Sequence, residues 1–435
     1  VRHIFQTKQP VIVYPASGTG AWEAALVNTL SPGDLVLMWE TGHFASLWKK
    51  MADKLGIQSE FMGGDWRLPA DPAAIESRLR ADSSHTIKAV CIVHNETSTG
   101  VVTDVSAVRR AIDAARHPAL LMVDTISSLG SIDYRHDAWG VDVTVAGSQK
   151  GLMLPPGLSF NALSPKAIEA SKTARLPKAF WAWDEIIEMN KGGYWPYTPN
   201  TNLLYGLSEA LDMILEQGLD AVFARHRRWA EGVRGAVRAW GLPIQCADAA
   251  VYSPVLTGVI TPQGVDADAI RKLIHERFDL SLGTGLGKVK GRMFRIGHLG
   301  DCNDLTLMAA LATQTTTIRL ASCVSQVPLR HPGVLAHQAA GDALLDRRPD
   351  LQRPRGAVRA DGSEVRHRRV DASGAADQVG CPVRDRRVGQ SAEMRRIEVG
   401  RCVQYDGAVA VNERALVGPN LGEVQAGAVV DRERA

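Results

Sequence analysis

The chain has 435 residues, of which 45% are hydrophobic and 22% charged, with a formal net charge of +3. That balance is of a globular protein with room for two domains, and so small a charge gives no reason to expect nucleic acid or an acidic membrane as partner. The apolar runs are too short to cross a bilayer, and the N-terminus VRHIFQTKQP lacks a signal peptide's apolar core. The six cysteines show no CxxC spacing, so neither a disulfide framework nor a metal site is indicated and a cytoplasmic protein is expected.

From residue 11 to 163 the short apolar runs VIVY, LVLMW, KAVCIVH, ALLMV, VDVTVAG and LSFNAL alternate with helix-like stretches. The rhythm predicts an α/β fold on a parallel sheet, and apolar residues at successive positions predict strands covered on both faces. Ligands of such sheets bind beyond the C-terminal ends of the strands. A Trp- and Pro-rich linker follows over 180–199, then two long helices over about 201–240. The segments AVYSPVLTGVI and RMFRIGH, with a helix near Asp266 between them, suggest a smaller α+β domain. The expected division is a large domain at 1–200 and a small domain at 201–312. Residues 313–435 contain no Lys, Trp or Phe and no sustained periodicity. Such a stretch buries too little apolar surface to offset its ordering entropy, so an irregular or disordered tail is expected. Its Arg-without-Lys bias suggests a frame-shifted reading of GC-rich sequence; an unfamiliar third domain is the alternative.

Three groups at strand ends carry chemistry. Lys150 directly follows the run VDVTVAG and precedes the Gly/Pro-rich GLMLPPG, where its amine can reach a cofactor aldehyde. Asp124 directly follows ALLMV; a carboxylate there either keeps a pyridine nitrogen protonated or caps the following TISS segment. Ser17, Gly18 and Thr19, in PASGTGAWEAAL, lie between a strand and a helix N-terminus, which offers free N–H groups to an anion. No GK[ST] follows, so this is no nucleotide P-loop, and GTGLGKVKG near Gly283 also lacks the Walker spacing. Together the three describe a phosphate cup, an electron-sink partner and an aldehyde trap in one crevice.

The order and wording of these motifs resemble the class V aminotransferases of fold type I, above all their serine–glyoxylate and alanine–glyoxylate branch. The similarity spans about residues 11–312 through YPASGTGAWEAAL, HNETSTGV, LLMVDTISSLG, VAGSQKGLMLPPGLSF, PYTPNTNLLYGL and FRIGHLGD. The resemblance implies a large domain with a mostly parallel sheet, a small C-terminal domain, a homodimer with its sites at the subunit interface, and pyridoxal phosphate (PLP) as cofactor. Lys150 would bind the cofactor covalently and shuttle a proton, and Asp124 would pair with the pyridine nitrogen. Ser17, Gly18, Thr19 and Gln149 would hold the phosphate. Thr97 would approach the phenolic oxygen, Phe44 would stack on the ring, Thr198 would reach the partner subunit's phosphate, and Arg295 would clamp the substrate carboxylate. The implied reaction moves an amino group from a small amino acid, serine before alanine, to glyoxylate. Alternatives are a cysteine desulfurase, which would need a nucleophilic Cys on a mobile loop, a context that Cys302 in HLGDCND lacks, a phosphoserine aminotransferase, or a cofactor-binding relic without activity. Members of the family begin some tens of residues earlier, with a Pro-Gly-Pro turn, and close the small domain with a helix for which the sequence after 312 shows no pattern.

Overall fold

In the computed structural model, secondary structure is described for residues 1–325 and side chains for residues 1–318. Each apolar run in the first half becomes a strand: β1 (Val11–Tyr14), β2 (Leu35–Trp39), β4 (Ile87–Val93), β7 (Leu120–Asp124), β8 (Val143–Gly147) and β9 (Ser159–Leu163). β3 (Gln58–Met62) completes a seven-stranded sheet of order β1-β9-β8-β7-β4-β2-β3. Alternation along the strands feeds two cores. In β4, Val90 and Ile92 join one apolar cluster with Leu121 and Val123, while Ala89 and Cys91 join a second with Met122 and Val145. Both faces are covered, which is why the runs read as continuous.

The sheet is not wholly parallel, as the rhythm suggested. β9 runs antiparallel to both neighbours, β8 and β1, whereas β3, β2, β4, β7 and β8 are parallel. The cause lies in the connection: a parallel return needs a crossover, usually helical, and residues 148–158 contain turns but no helix. Ser148 closes this loop, its hydroxyl donating to the Pro155 carbonyl at 2.8 Å and accepting the Leu158 N–H at 3.2 Å. A short two-stranded ribbon, β5 (Asn95–Glu96) with β6 (Val101–Val102), follows β4.

After the helices Thr201–Gln217 and Leu219–Ala239, a three-stranded antiparallel sheet of order β10-β12-β11 forms from β10 (Leu256–Ile260), β11 (Gly283–Thr284) and β12 (Met293–Gly297). Helices Leu219–Ala239, Ala267–Phe278 and Asp304–Ser325 cover one face, against Phe294 and Ile296. The two-residue period of a strand puts Arg295 on the other face, where its Nη1 donates to the Thr97 carbonyl at 2.8 Å.

The change of character expected at residue 312 does not fall there. The last helix continues to Ser325, with Gln314, Thr315, Thr317 and Ile318 buried and Trp240 donating its indole N–H to Thr315 Oγ1 at 3.0 Å. The run TQTTTI hides this because its hydroxyls satisfy themselves locally: Thr313, Thr315, Thr316 and Thr317 each donate to the carbonyl four residues earlier. A polar string can then pack as a helix face. The remainder of the expected tail, 326–435, lies outside the described residues.

Candidate active site

Strands β1, β4, β7 and β8 point the same way, so their C-terminal ends open onto one side of the sheet, and each ending delivers one part of the site. After β1 the chain turns into helix Gly18–Thr29 with Ser17 as N-cap; the Ser17 side chain makes no capping bond. The first N–H groups of a helix have no intrahelical acceptor, so Gly18 and Thr19 present donors and the positive end of the dipole. A Cβ at Gly18 would overlap the Ile126 side chain, which would have to shift to admit it. A Cβ at Gly147, on β8, would lie 2.9 Å from Gln149 Oε1 and 3.5 Å from the Gly18 nitrogen. The Gln149 amide and the helix N-terminus therefore share one corner, and Gln149 Oε1 is buried there without a hydrogen-bond partner.

Asp124 ends β7 and is 4% exposed. Its Oδ1 accepts the Ile126 N–H at 2.7 Å and its Oδ2 the Trp22 indole N–H at 2.9 Å. Burial, against the Ile126 hydrogen bond and reinforced by the Glu96 charge, pushes its pKa up to about 7; the Trp22 bond and the Lys150 charge act downward. A carboxylate so placed gains most from a cation brought to it. The local turn to Ile126 is the cap-like contact foreseen for this residue, and it coexists with the open chemical role.

Lys150 sits two residues beyond Ser148, half-buried. Gly151 next to it packs so tightly on the Leu129–Ser131 turn that a Cβ would strike the Leu129 carbonyl, which fixes the backbone of the lysine. From the small domain, Gly300 closes over the Lys150 carbonyl, where a Cβ would come within 3.3 Å. Consecutive residues of helix Leu219–Ala239 grip Gly300: its N–H donates to His226 Nε2 at 3.2 Å and its carbonyl accepts from Arg225 Nη1 at 3.2 Å. Burial lowers the His226 pKa to about 4, so the imidazole is a neutral acceptor.

Beyond β4, Thr97 donates to Ser127 Oγ at 2.7 Å, joining this loop to the Asp124 turn. Arg295 is 1% exposed, held by the Thr97 and Thr284 carbonyls, each at 2.8 Å. Phe44 is half-buried at the start of helix His43–Lys54 and packs on the cluster that contains Trp22 and Trp48. Its N–H and that of Ala45 are capped by the buried Glu96 carboxylate at 3.3 and 3.2 Å. Thr198 alone is not brought in: it is exposed on the segment before Asn200, with no described hydrogen bond to the others. Sequence reading missed Trp22, Ile126, Glu96 and Ser127. Their only signal was position, one helical turn past a glycine or one to three residues from a strand end.

These residues fit PLP. An anion corner at a helix N-terminus, a carboxylate whose pKa is raised by burial, and a lysine on a rigid turn match a phosphate, a pyridinium and an aldehyde in turn. Residues 1–289 match the family described as aminotransferase class V. The chain is 47% identical over 314 residues to the serine–glyoxylate aminotransferase of Arabidopsis thaliana, covering 72% of this chain and 78% of that one. It is 48% identical over 320 residues to the L-aspartate–glyoxylate aminotransferase of Paracoccus denitrificans, covering 72% and 79%. Among solved structures, it superposes on pyridoxamine–pyruvate aminotransferase from Mesorhizobium loti with a TM-score of 0.72 at 26% identity, over 79% and 86% of the two chains.

Proposed function

The chain belongs to the class V aminotransferases, which are PLP enzymes, and from that premise we propose that it transfers the amino group of a small amino acid, serine first and alanine next, to glyoxylate. The observation that carries the reading is Asp124, buried at a strand end within the field of Lys150 and raised to a pKa of about 7. When bound, PLP supplies an aldehyde and a protonated ring that accepts the electron pair left at the substrate's α-carbon.

The residues divide the remaining work. Asp124 holds the proton on the pyridine nitrogen. The Lys150 amine would hold the aldehyde covalently and, when free, would take the proton from the substrate's α-carbon and give it back in the amino group's transfer. Ser17, Gly18, Thr19 and Gln149 hold the phosphate. Phe44 would lie against the ring, and Thr97 would face the phenolic oxygen. Arg295 pairs with the substrate carboxylate through its planar fork, for which lysine is no equivalent. Thr198, exposed in one protomer, serves the partner's phosphate in a homodimer. The division into a large domain at 1–200 and a small domain from 201 onward, and a cytoplasmic setting, belong to the same proposal. No helix among the described residues is long and apolar enough to cross a membrane.

The desulfurase alternative is disfavoured by Cys302. Burial raises its thiol pKa in spite of the hydrogen bonds with Thr306, 3.3 Å away, and Asn303, which act downward, so it is not poised as a thiolate. The proposal is tested by supplying the PLP-loaded chain with glyoxylate and serine, alanine or aspartate in turn. Glycine should form fastest with serine. Glycine formed from aspartate alone would reassign the donor, and absence of glycine with all three would refute the reading.

A further inference from the structure

The two hydrogen bonds on Asp124 have different origins. The bond from the Ile126 N–H is local, the ordinary consequence of an aspartate two residues before a turn amide. The bond from Trp22 bridges a sequence separation of 102 residues. Trp22 lies on helix Gly18–Thr29, one turn beyond its N-terminal glycine, and is 3% exposed. Its ring stacks on Trp48 with centroids 5.9 Å apart and planes 12° apart, so the indole cannot swing away without breaking a packed pair. An indole N–H donates and never accepts, so its bond to Oδ2 is strongest when the carboxylate is ionised. It opposes both the burial and the Glu96 charge that act on the same group.

We propose that Trp22 is a positioning residue for transamination: its indole N–H fixes the Asp124 carboxylate and keeps it ionised, so that the proton it shares with the cofactor stays on the pyridine nitrogen. The inference rests on the reading that Asp124 faces that nitrogen. One helix then serves the cofactor twice, with its N-terminus toward the phosphate and with Trp22 through the carboxylate. Loss of the N–H should let the proton drift toward Asp124, weaken the ring as an electron acceptor and slow removal of the α-proton, while substrate binding through Arg295 stays as it was.

The test uses Trp22→Phe and, because a smaller ring leaves a void, a second variant with benzothienylalanine at position 22, which keeps the indole's shape and replaces N–H by sulfur. In the apoprotein, the infrared carboxyl band of Asp124, identified by its loss in Asp124→Asn, should titrate about one pH unit higher in both variants, the tenfold change expected for one charge-assisted hydrogen bond. In the PLP-loaded protein, kcat should fall about tenfold with KM for the amino acid unchanged, and the pyridine ¹⁵N resonance should move toward the neutral ring. Wild-type titration and kcat in both variants, with Asp124→Asn inactive, would overturn the Trp22 proposal alone. A rise in KM matching the fall in kcat would reduce Trp22 to packing. Full activity of Asp124→Asn would instead remove the reading on which the proposal rests.

Discussion

Three buried aspartates mark the two ends of the main sheet. At the N-terminal ends of the strands, Asp82 accepts the Ile87 N–H, the Thr86 hydroxyl and a bond from His117, and Asp142 accepts the Leu121 N–H and the Ser164 hydroxyl beside Arg109 and Lys166. Burial raises the Asp82 pKa, but the hydrogen bonds from Ile87, Thr86 and His117 outweigh it and hold the carboxyl well below its usual range. At the C-terminal end, Asp124 has two donors, no ion pair among the described residues, and a pKa raised to about 7. Asp82 and Asp142 have their acceptors filled by the fold itself and act as fastenings. Asp124 is left short of positive charge, which a folded protein tolerates where a ligand will supply it.

The largest contrast is between lysines at the two ends. Lys150→Ala should abolish the covalent cofactor link and cut transamination at least about 10³-fold, while PLP still binds through the phosphate corner. Lys166→Ala, which removes a half-exposed partner of Asp142, should leave activity intact and change stability by less than about 1 kcal/mol. Steady-state kinetics and thermal melts of the two variants would measure the difference.

The aspartates themselves give opposite pH signatures in the apoprotein. Asp82, with a depressed folded pKa, contributes stability above the unfolded value of about 4 and loses it as pH falls through the folded value. Asp124, with a raised one, binds its proton more tightly when folded, so its contribution is present below about pH 4 and is lost as pH rises toward 7. At pH 8, Asp124→Asn should therefore stabilise the apoprotein, by at most about 4 kcal/mol. Asp82→Asn should destabilise it by about 1–3 kcal/mol, since its donors lose their acceptor. Denaturant titrations would check both signs, below about pH 4 for Asp82 and between about pH 4 and 8 for Asp124.

A smaller effect falls on Arg295. Arg295→Lys should weaken amino and oxo acid binding by about 1.5–3 kcal/mol and leave PLP affinity unchanged; equal losses for both would indicate a folding defect. The smallest belongs to the last helix: Thr315→Val removes the acceptor of the Trp240 indole and should cost about 1–2 kcal/mol, with no effect on PLP. A neutral result would mean that the helix beyond residue 312 is not docked.

What was legible in the sequence follows from range. Lys150 and Asp124 stand directly after apolar runs, so their place at strand ends could be read from one window. β3 could not, because QSEFM at the sheet edge is only partly buried and carries polar residues. The reversal of β9 lies in a loop without a helix, which no strand pattern records. Trp22 and Asp124 meet across 102 positions, and Thr97 meets Ser127 across 30; such contacts exist only once the strands are side by side. The threonine run after residue 312 misled because local hydroxyl bonds let polar residues pack.

In this reading the C-terminal end of the sheet holds PLP through Lys150. Borohydride reduction of the PLP-loaded chain, followed by peptide mapping, tests it directly. The protein should be yellow, lose its colour on reduction and carry a single pyridoxyl group on Lys150. A label on another lysine, or reduction that leaves the cofactor freely dialysable, would contradict it.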